Sequence, residues 1–258
     1  MNQRQDGFTG AKIEARRFSF SYGDKPALKA IDLAVPRNSL QVIMGPTGSG
    51  KTTFLRALNR LNDLVPRIRT EGELLLDGQN VYGHGMDVAR LRSRVGMVFA
   101  LPTPLPLSIF DNVAYGPRCR GVKGSELKDR VEAALKQAAI WDEIADRLDD
   151  SAAALSGGQQ QRLSLARVLA VQPEIILLDE PTSGLDPLST LRIEEALREL
   201  VADYTIVLVT HNPLQAARIG GQVAFFYLGE LVETGPADEL FTRPRDRRTE
   251  DYITGKFG

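Results

Sequence analysis

The stretch that decides the fold reads Gly45-Pro46-Thr47-Gly48-Ser49-Gly50-Lys51-Thr52. It fits the phosphate-loop pattern GxxxxGK(S/T), in which glycines let backbone N–H groups approach the phosphates of a nucleotide. Residues 40–44, which are mostly apolar, predict a buried strand before the loop, and residues 52–58 have helical composition after it. In such a loop Lys51 would contact the β and γ phosphates, and Thr52 would offer its hydroxyl to Mg²⁺. The sequence therefore predicts a site for a magnesium–nucleotide complex.

The composition is that of a folded globular protein. With 258 residues, 43% of them hydrophobic, the chain can bury the core of one domain with a subdomain, or of two small domains. The 32 basic and 33 acidic residues give a net charge of −1, so we expect no nucleic acid partner. The single cysteine, Cys119, cannot form an internal disulfide. No apolar run approaches the ~20 residues that span a bilayer, so any membrane role must come through a partner.

A second motif, Leu155-Ser156-Gly157-Gly158-Gln159, narrows the range of nucleotide-dependent functions. Together with the phosphate loop, this signature motif resembles the ABC-type ATPases, and the resemblance covers nearly the whole chain. Finer details resemble the ATPase subunit of bacterial phosphate importers. The resemblance implies an enzyme that uses ATP and Mg²⁺ as cofactors and powers the uptake of inorganic phosphate.

The remaining pattern is that of a mixed α/β protein. Residues 13–22 and 31–35 read as antiparallel strands around the turn at 23–26. Residues 174–178 and 205–209 are short runs rich in β-branched and aliphatic residues, separated by a helical stretch, a βαβ rhythm that implies parallel strands. We therefore expect an α/β fold: a P-loop NTPase (RecA-like) core with a parallel sheet, an antiparallel β subdomain on its N-terminal side, and an inserted helical subdomain.

The helical subdomain is expected at about residues 101–172. An apolar face formed by Leu127, Val131, Ala134, Leu135 and Ala138 predicts one of its helices, with Ser125 as the N-cap. We expect residues 11–258 to form a single nucleotide-binding domain and residues 1–10 to be flexible.

The family resemblance assigns further site residues. Residues 175–178 resemble the Walker B strand, which would bring Asp179 to the metal and Glu180 to the attacking water. His211 matches the switch histidine that contacts the γ phosphate. Tyr22 stands where an aromatic ring stacks on adenine in the family, and we favour this role over that of an ordinary tyrosine of a β-sheet. The predicted catalytic residues are Lys51, Glu180 and His211, and the predicted metal ligands are Thr52 and Asp179. The predicted nucleotide-binding residues are Tyr22, Gly45, Pro46, Thr47, Gly48, Ser49, Gly50, Lys51, Thr52, Thr53, Ser156, Gly157, Gly158 and Gln159.

The signature motif implies partners. In the resembled family two such domains pair head to tail, and each signature helix caps the γ phosphate held by the opposite loop. We therefore expect a homodimer attached to two transmembrane permease subunits at the cytoplasmic face of a bacterial inner membrane. An extracytoplasmic phosphate-binding protein would take part indirectly.

The chain departs from the family pattern at one position, where Ala100 follows Phe99 and the resemblance predicts glutamine. That glutamine normally reaches Mg²⁺ and the attacking water. Either water fills the vacant place and catalysis is only reduced, or hydrolysis and its coupling are impaired.

The prediction of phosphate as the transported solute depends on two stretches that are less specific than the motifs above. Residues 102–116 and 249–258 look like the phosphate-importer subfamily, and the first stretch is either a socket for a membrane subunit or a buried loop. The competing class is a soluble ABC ATPase of DNA repair or translation, but the chain has no heptad insert and a single phosphate loop. An ATP-binding subunit without hydrolysis is favoured by Ala100 and opposed by Glu180 and His211.

Overall fold

A computed structural model of the chain describes residues 10–256. The sequence predicted flexibility for residues 1–10. Residues 1–9 of that segment lie outside the described range. The strands are β1 (Ala11–Tyr22), β2 (Lys25–Pro36), β3 (Leu40–Met44), β4 (Ile68–Leu76), β5 (Gln79–Asn80), β6 (Val95–Val98), β7 (Ile175–Asp179), β8 (Thr205–Thr210), β9 (Gln222–Tyr227) and β10 (Glu230–Pro236). The α-helices are α1 (Lys51–Ala57), α2 (Val88–Arg94), α3 (Ile109–Cys119), α4 (Gly124–Gln137), α5 (Trp141–Ile144), α6 (Gly157–Leu169), α7 (Pro187–Leu200), α8 (Pro213–Ile219), α9 (Ala237–Thr242) and α10 (Arg247–Ile253). Short 3₁₀ helices cover Leu61–Leu64 and Ala152–Ala154.

A six-stranded sheet in the order β10-β9-β3-β8-β7-β6 forms the core. Five of its strands are parallel, and β10 pairs antiparallel with β9 at one edge. Every residue of β3, β7 and β8 is buried, as expected for strands whose two faces are both covered. This sheet brings the carboxyl ends of β3, β7 and β8 side by side, and those ends carry the predicted site residues.

The N-terminal part forms a four-stranded antiparallel sheet in the order β2-β1-β4-β5. Its apolar face, which includes Phe18, Phe20 and Ile31, shares one hydrophobic cluster with Ile43 of β3 and Phe54 of α1. The antiparallel sheet is therefore packed against the same side of the core sheet as the helix that follows the phosphate loop.

Helices α3 to α6 form the helical part of the molecule between β6 and β7. The face predicted from residues 127–138 is buried. The predicted N-cap at Ser125 is wrong: α4 begins at Gly124, and the capping position falls on Lys123, whose side chain makes no cap hydrogen bond. Ser125 thus lies inside the first turn, whereas a capping side chain must precede the first helical residue.

These layers confirm the predicted fold class of a parallel-sheet core, an antiparallel β subdomain and inserted helices. Among the helices of residues 10–256, none is both long and apolar enough to cross a membrane.

Candidate functional site

The phosphate loop connects β3 to α1 in a conformation that only glycine adopts without strain. Gly45 has a φ of 149°, and a Cβ atom there would lie 2.1 Å from the Phe226 carbonyl oxygen. Gly50 has a φ of 98° and is the N-cap of α1, where a Cβ atom would meet the Ala27 carbonyl oxygen at 2.7 Å. The two glycines therefore let the loop pass close to neighbouring backbone while α1 begins directly behind it.

Lys51, the first residue of α1, is buried in this loop. Its Nζ donates hydrogen bonds to the carbonyl oxygens of Gly45 at 2.7 Å and Pro46 at 2.8 Å. Burial lowers the pKa of Lys51, and the carboxylates of Glu180 and Asp179 oppose this by favouring the charged form. The ammonium group is thus held inside the loop, where the charges of two carboxylates favour its protonated form.

Thr52 and Asp179 form a pair of oxygen donors at the junction of α1 and β7. Thr52 Oγ1 donates to Asp179 Oδ1 at 2.8 Å, and Arg56 Nη2 lies 3.5 Å from Asp179 Oδ2. Within residues 10–256 no group of three or more His, Cys, Asp or Glu side chains is arranged to hold a metal ion. Mg²⁺ is commonly bound by one or two protein oxygens together with waters and substrate phosphates. The hydroxyl and carboxylate pair fits such an ion.

Glu180 and His211 face each other at the ends of adjacent parallel strands. His211 Nδ1 lies 2.9 Å from Glu180 Oε2. Glu180 has a φ of 49°, a left-handed backbone conformation that costs energy for a residue with a side chain, and its N–H donates to the Val209 carbonyl at 2.9 Å. This bond to the end of β8 holds the Glu180 backbone in place.

A cavity of about 560 Å³ lies over the phosphate loop and includes Glu180 in its wall. Part of the cavity lining comes from β2 and from the turn between β9 and β10, and the sequence motifs did not predict these residues. Lys29 N donates to the Gly229 carbonyl at 2.8 Å, which brings these two segments together. The nearest clue in the sequence is the turn at residues 23–26, which precedes this part of β2. The lining residues are Pro26, Ala27, Lys29, Thr47, Gly48, Ser49, Gly50, Lys51, Thr52, Thr53, Glu180, Leu228 and Gly229.

Tyr22 lies at the end of β1, and it is not among the described residues that line this cavity. Its ring packs edge-on against Phe20 with centroids 5.1 Å apart. Its hydroxyl donates to Asn62 Oδ1 at 2.9 Å, and Asn62 Nδ2 donates to the Thr53 carbonyl of α1 at 2.8 Å. Asn62, which no motif indicated, therefore ties Tyr22 to the helix behind the phosphate loop.

The signature residues lie apart from the phosphate loop, and the cavity lining found within residues 10–256 includes none of them. Ser156 is the N-cap of α6 and forms a capping box with Gln159. Gln159 Nε2 also donates to Glu143 Oε2 of α5 at 2.9 Å. The start of α6 packs against α7, where a Cβ atom on Gly158 would lie 2.1 Å from Ser189 Oγ.

Ala100 follows the short strand β6 beside two exposed apolar side chains, Phe99 and Leu101. The carbonyl of Phe99 accepts a hydrogen bond from Gln161 Nε2 at 2.8 Å. Gln161 is buried on α6, so the backbone at the departure from the family pattern is tied directly to the signature helix.

Residues 28–183, which contain both the phosphate loop and the signature helix, match the ABC transporter family. The chain belongs to the ABC transporter family. It carries the ATP-binding domain of that family, whose members bind ATP with Mg²⁺ and hydrolyse it.

Two solved structures resemble this ABC ATPase over almost its whole length. One is cbiO1 from Clostridium perfringens, part of the ABC transporter complex cbiONQ, with 26% sequence identity and a TM-score of 0.81 over 96% of this chain and 97% of that chain. The other is a bacterial Atm1-family ABC exporter with ATP bound, with 27% identity and a TM-score of 0.79 over 97% of this chain. The ABC ATPase spans 42% of that exporter chain.

Proposed function

We propose that this ABC ATPase hydrolyses MgATP at the phosphate loop with Glu180 as the catalytic carboxylate. The observation that carries the proposal is the convergence of Lys51, Thr52 and Glu180 on one cavity, with His211 Nδ1 at 2.9 Å from Glu180. Phosphoryl transfer to water needs positioning and charge stabilisation more than covalent chemistry, and these groups supply both.

Each group has a distinct part in the proposed reaction. Lys51, held in the loop by backbone carbonyls, would turn its charge to the β and γ phosphates. Glu180 would orient the attacking water and accept its proton, and His211 would contact the γ phosphate. Thr52 and Asp179 would hold Mg²⁺, which neutralises charge on the phosphate oxygens when bound. Tyr22 would stack on adenine beyond the cavity wall.

The signature residues would act on a second copy of the chain. They lie on α6, away from the chain's own phosphate loop, so Ser156, Gly157, Gly158 and Gln159 would complete the site of the partner. We therefore propose a homodimer in which residues 11–258, of which the structure describes 11–256, form one nucleotide-binding domain and residues 101–172 its helical subdomain. ATP binding would close the pair and hydrolysis would release it.

We propose that the dimer drives an importer through two permease subunits at the cytoplasmic face of a bacterial inner membrane. The resemblance to cbiO1, which is part of a transporter complex, supports such subunits. Phe99, Leu101, Leu107 and Tyr115 are exposed around the segment 102–116 and offer an apolar surface for them.

Inorganic phosphate, delivered by an extracytoplasmic binding protein, is the proposed solute. Its support is the likeness of residues 102–116 and 249–258 to phosphate importers. The direct test reconstitutes the chain with its permease subunits in vesicles and measures uptake of phosphate beside sulfate and molybdate. Transport of another oxyanion without phosphate would refute the assignment.

The decisive experiment for catalysis compares steady-state MgATP hydrolysis by the native chain, Ala100→Gln and Glu180→Gln, with ATP binding measured in all three. We expect Glu180→Gln to bind ATP and to lose turnover by a factor of at least about 10², the usual contribution of a general base. Ala100→Gln should raise turnover, because it restores a group that can reach the metal and the water.

Three results would change this proposal. Turnover that survives Glu180→Gln would exclude Glu180 as the base. Equal turnover of the native chain and Ala100→Gln would mean that Ala100 does not limit hydrolysis. Binding without any turnover in the native chain, restored by Ala100→Gln, would make this chain an ATP-binding subunit with impaired hydrolysis.

A further inference from the structure

The C-terminal helix α10 packs beneath the segment that carries His211, far along the chain from the matched family region. Tyr252 of this helix is only 6% exposed, and its ring stacks on Phe225 of β9 with centroids 5.0 Å apart at an angle of 26°. Thr249, one turn earlier, is completely buried. The helix is therefore anchored to the core sheet.

The hydroxyl of Tyr252 reaches two parts of the candidate site. It donates a hydrogen bond to the backbone carbonyl of His211 at 2.7 Å. Burial raises the pKa of Tyr252 to about 12, a hydrogen bond with the Gly45 backbone opposes that rise, and the Glu180 carboxylate adds to it. The hydroxyl therefore stays protonated near neutral pH and lies between His211 and the first residue of the phosphate loop.

His211 depends on such a support because packing does not hold its side chain. The side chain is 53% exposed, and its Nδ1 lies 2.9 Å from Glu180 Oε2. The residue stands in the short connection between β8, which ends at Thr210, and α8, which begins at Pro213. The hydrogen bond from Tyr252 to the backbone of this connection fixes the position of the main chain from which the imidazole extends.

We propose that Tyr252 is a positioning residue that holds His211 where it can contact the γ phosphate. Because ADP lacks this phosphate, the C-terminal helix would determine how strongly the site prefers ATP over ADP. The inference rests on the proposed role of His211. It gives residues 249–256 a function at the nucleotide, beyond their resemblance to one transporter subfamily.

The test measures affinities for ADP and for an ATP analogue with an imido β,γ bridge by calorimetry, in the presence of Mg²⁺. The variants are Tyr252→Phe, His211→Ala, the double variant, and Tyr204→Phe as a matched control. Tyr204 is also a buried tyrosine, but its hydroxyl hydrogen-bonds Gln137 in the helical part. Tyr252→Phe keeps the ring on Phe225 and removes only the hydroxyl.

We expect Tyr252→Phe to reduce the preference for the triphosphate over ADP by about 5-fold, the effect of one hydrogen bond. Tyr204→Phe should leave the preference unchanged. In the His211→Ala background, Tyr252→Phe should have no further effect, because the tyrosine acts through the histidine.

The opposite outcomes separate the two proposals. If Tyr252→Phe keeps the native preference for the ATP analogue over ADP while His211→Ala loses it, the positioning role of Tyr252 alone is overturned. An equal loss of affinity for both nucleotides in Tyr252→Phe overturns it as well. An unchanged preference in His211→Ala overturns the assigned contact of His211 with the γ phosphate and the positioning role with it.

Discussion

Replacement of Gly158 by alanine tests how the signature helix is held against the core. A Cβ atom on Gly158 would lie 2.1 Å from Ser189 Oγ and 2.6 Å from Ser189 Cβ. The hydroxyl could rotate away, but the Ser189 Cβ is fixed by the backbone of α7, so one of the two helices must shift. The neighbouring Gly157 is a matched control, because its nearest contact would be Leu185 Cδ2 at 3.9 Å.

Two effects of opposite sign decide the result. Alanine is favoured over glycine in a helix by up to about 1 kcal/mol. Overpacking a tight contact costs about 1–3 kcal/mol. Gly157→Ala meets only the first effect and should leave the free energy of unfolding equal or higher. Gly158→Ala meets both, so we expect it to lower that free energy by about 1–2 kcal/mol.

The assay is urea unfolding of the nucleotide-free chain, for Gly157→Ala, Gly158→Ala, Ser189→Gly and Gly158→Ala combined with Ser189→Gly. The second replacement removes both clashing atoms, so it should recover about 1–2 kcal/mol relative to the sum of the two single changes. Equal unfolding midpoints for Gly157→Ala and Gly158→Ala, or no such recovery, would refute the reasoning. The close contact would then not fix α6 on α7.

Two other predictions concern the adenine side of the site and a charged cluster. Asn62→Leu should weaken ATP binding by about 3- to 10-fold and leave the binding of inorganic tripolyphosphate unchanged, because it releases Tyr22 from α1 while the phosphate loop stays intact; equal losses in calorimetry for both ligands would contradict this. The pKa of Glu174 is lowered to about 2, first by its hydrogen bond from Arg94 and then by one from the buried Lys12, against the effect of burial. A lowered pKa stabilises the fold above the unfolded value of about 4.3, and this contribution is lost as the pH falls through about 2. Glu174 is 43% exposed, so after solvent screening we expect Glu174→Gln to cost about 1–2 kcal/mol in urea at pH 7. The difference in the free energy of unfolding between Glu174→Gln and the native chain should shrink as the pH falls from 5 towards 3. A difference that does not change with pH would indicate that the variant loses packing and not a charge interaction.

Sequence alone predicted those features of the chain whose physical cause is local. The glycines of the phosphate loop are required by the backbone conformation of that loop, as the positive φ values of Gly45 and Gly50 demonstrate. The apolar run before Asp179 and the β-branched and aliphatic residues 205–209 predict buried parallel strands, because both faces of such strands are covered. Ser156 and Gln159 form the capping box that opens α6, so the signature helix begins where the motif indicates.

One local prediction failed for a local reason. Serine is a frequent N-cap, but α4 begins one residue before Ser125, at Gly124. Composition identifies the kind of residue found near a helix start and leaves its exact register open, since a shift of one residue changes a capping position into a helical one.

Only the tertiary structure decided which distant residues support the site. Asn62 binds Tyr22 and the Thr53 carbonyl, and Tyr252 binds the His211 carbonyl, although no motif assigned either residue to the nucleotide site. These hydrogen bonds join elements that are separated along the chain and become neighbours through the order of the strands. A periodic pattern reports which face of one element is buried, but it carries no information about which other element covers that face.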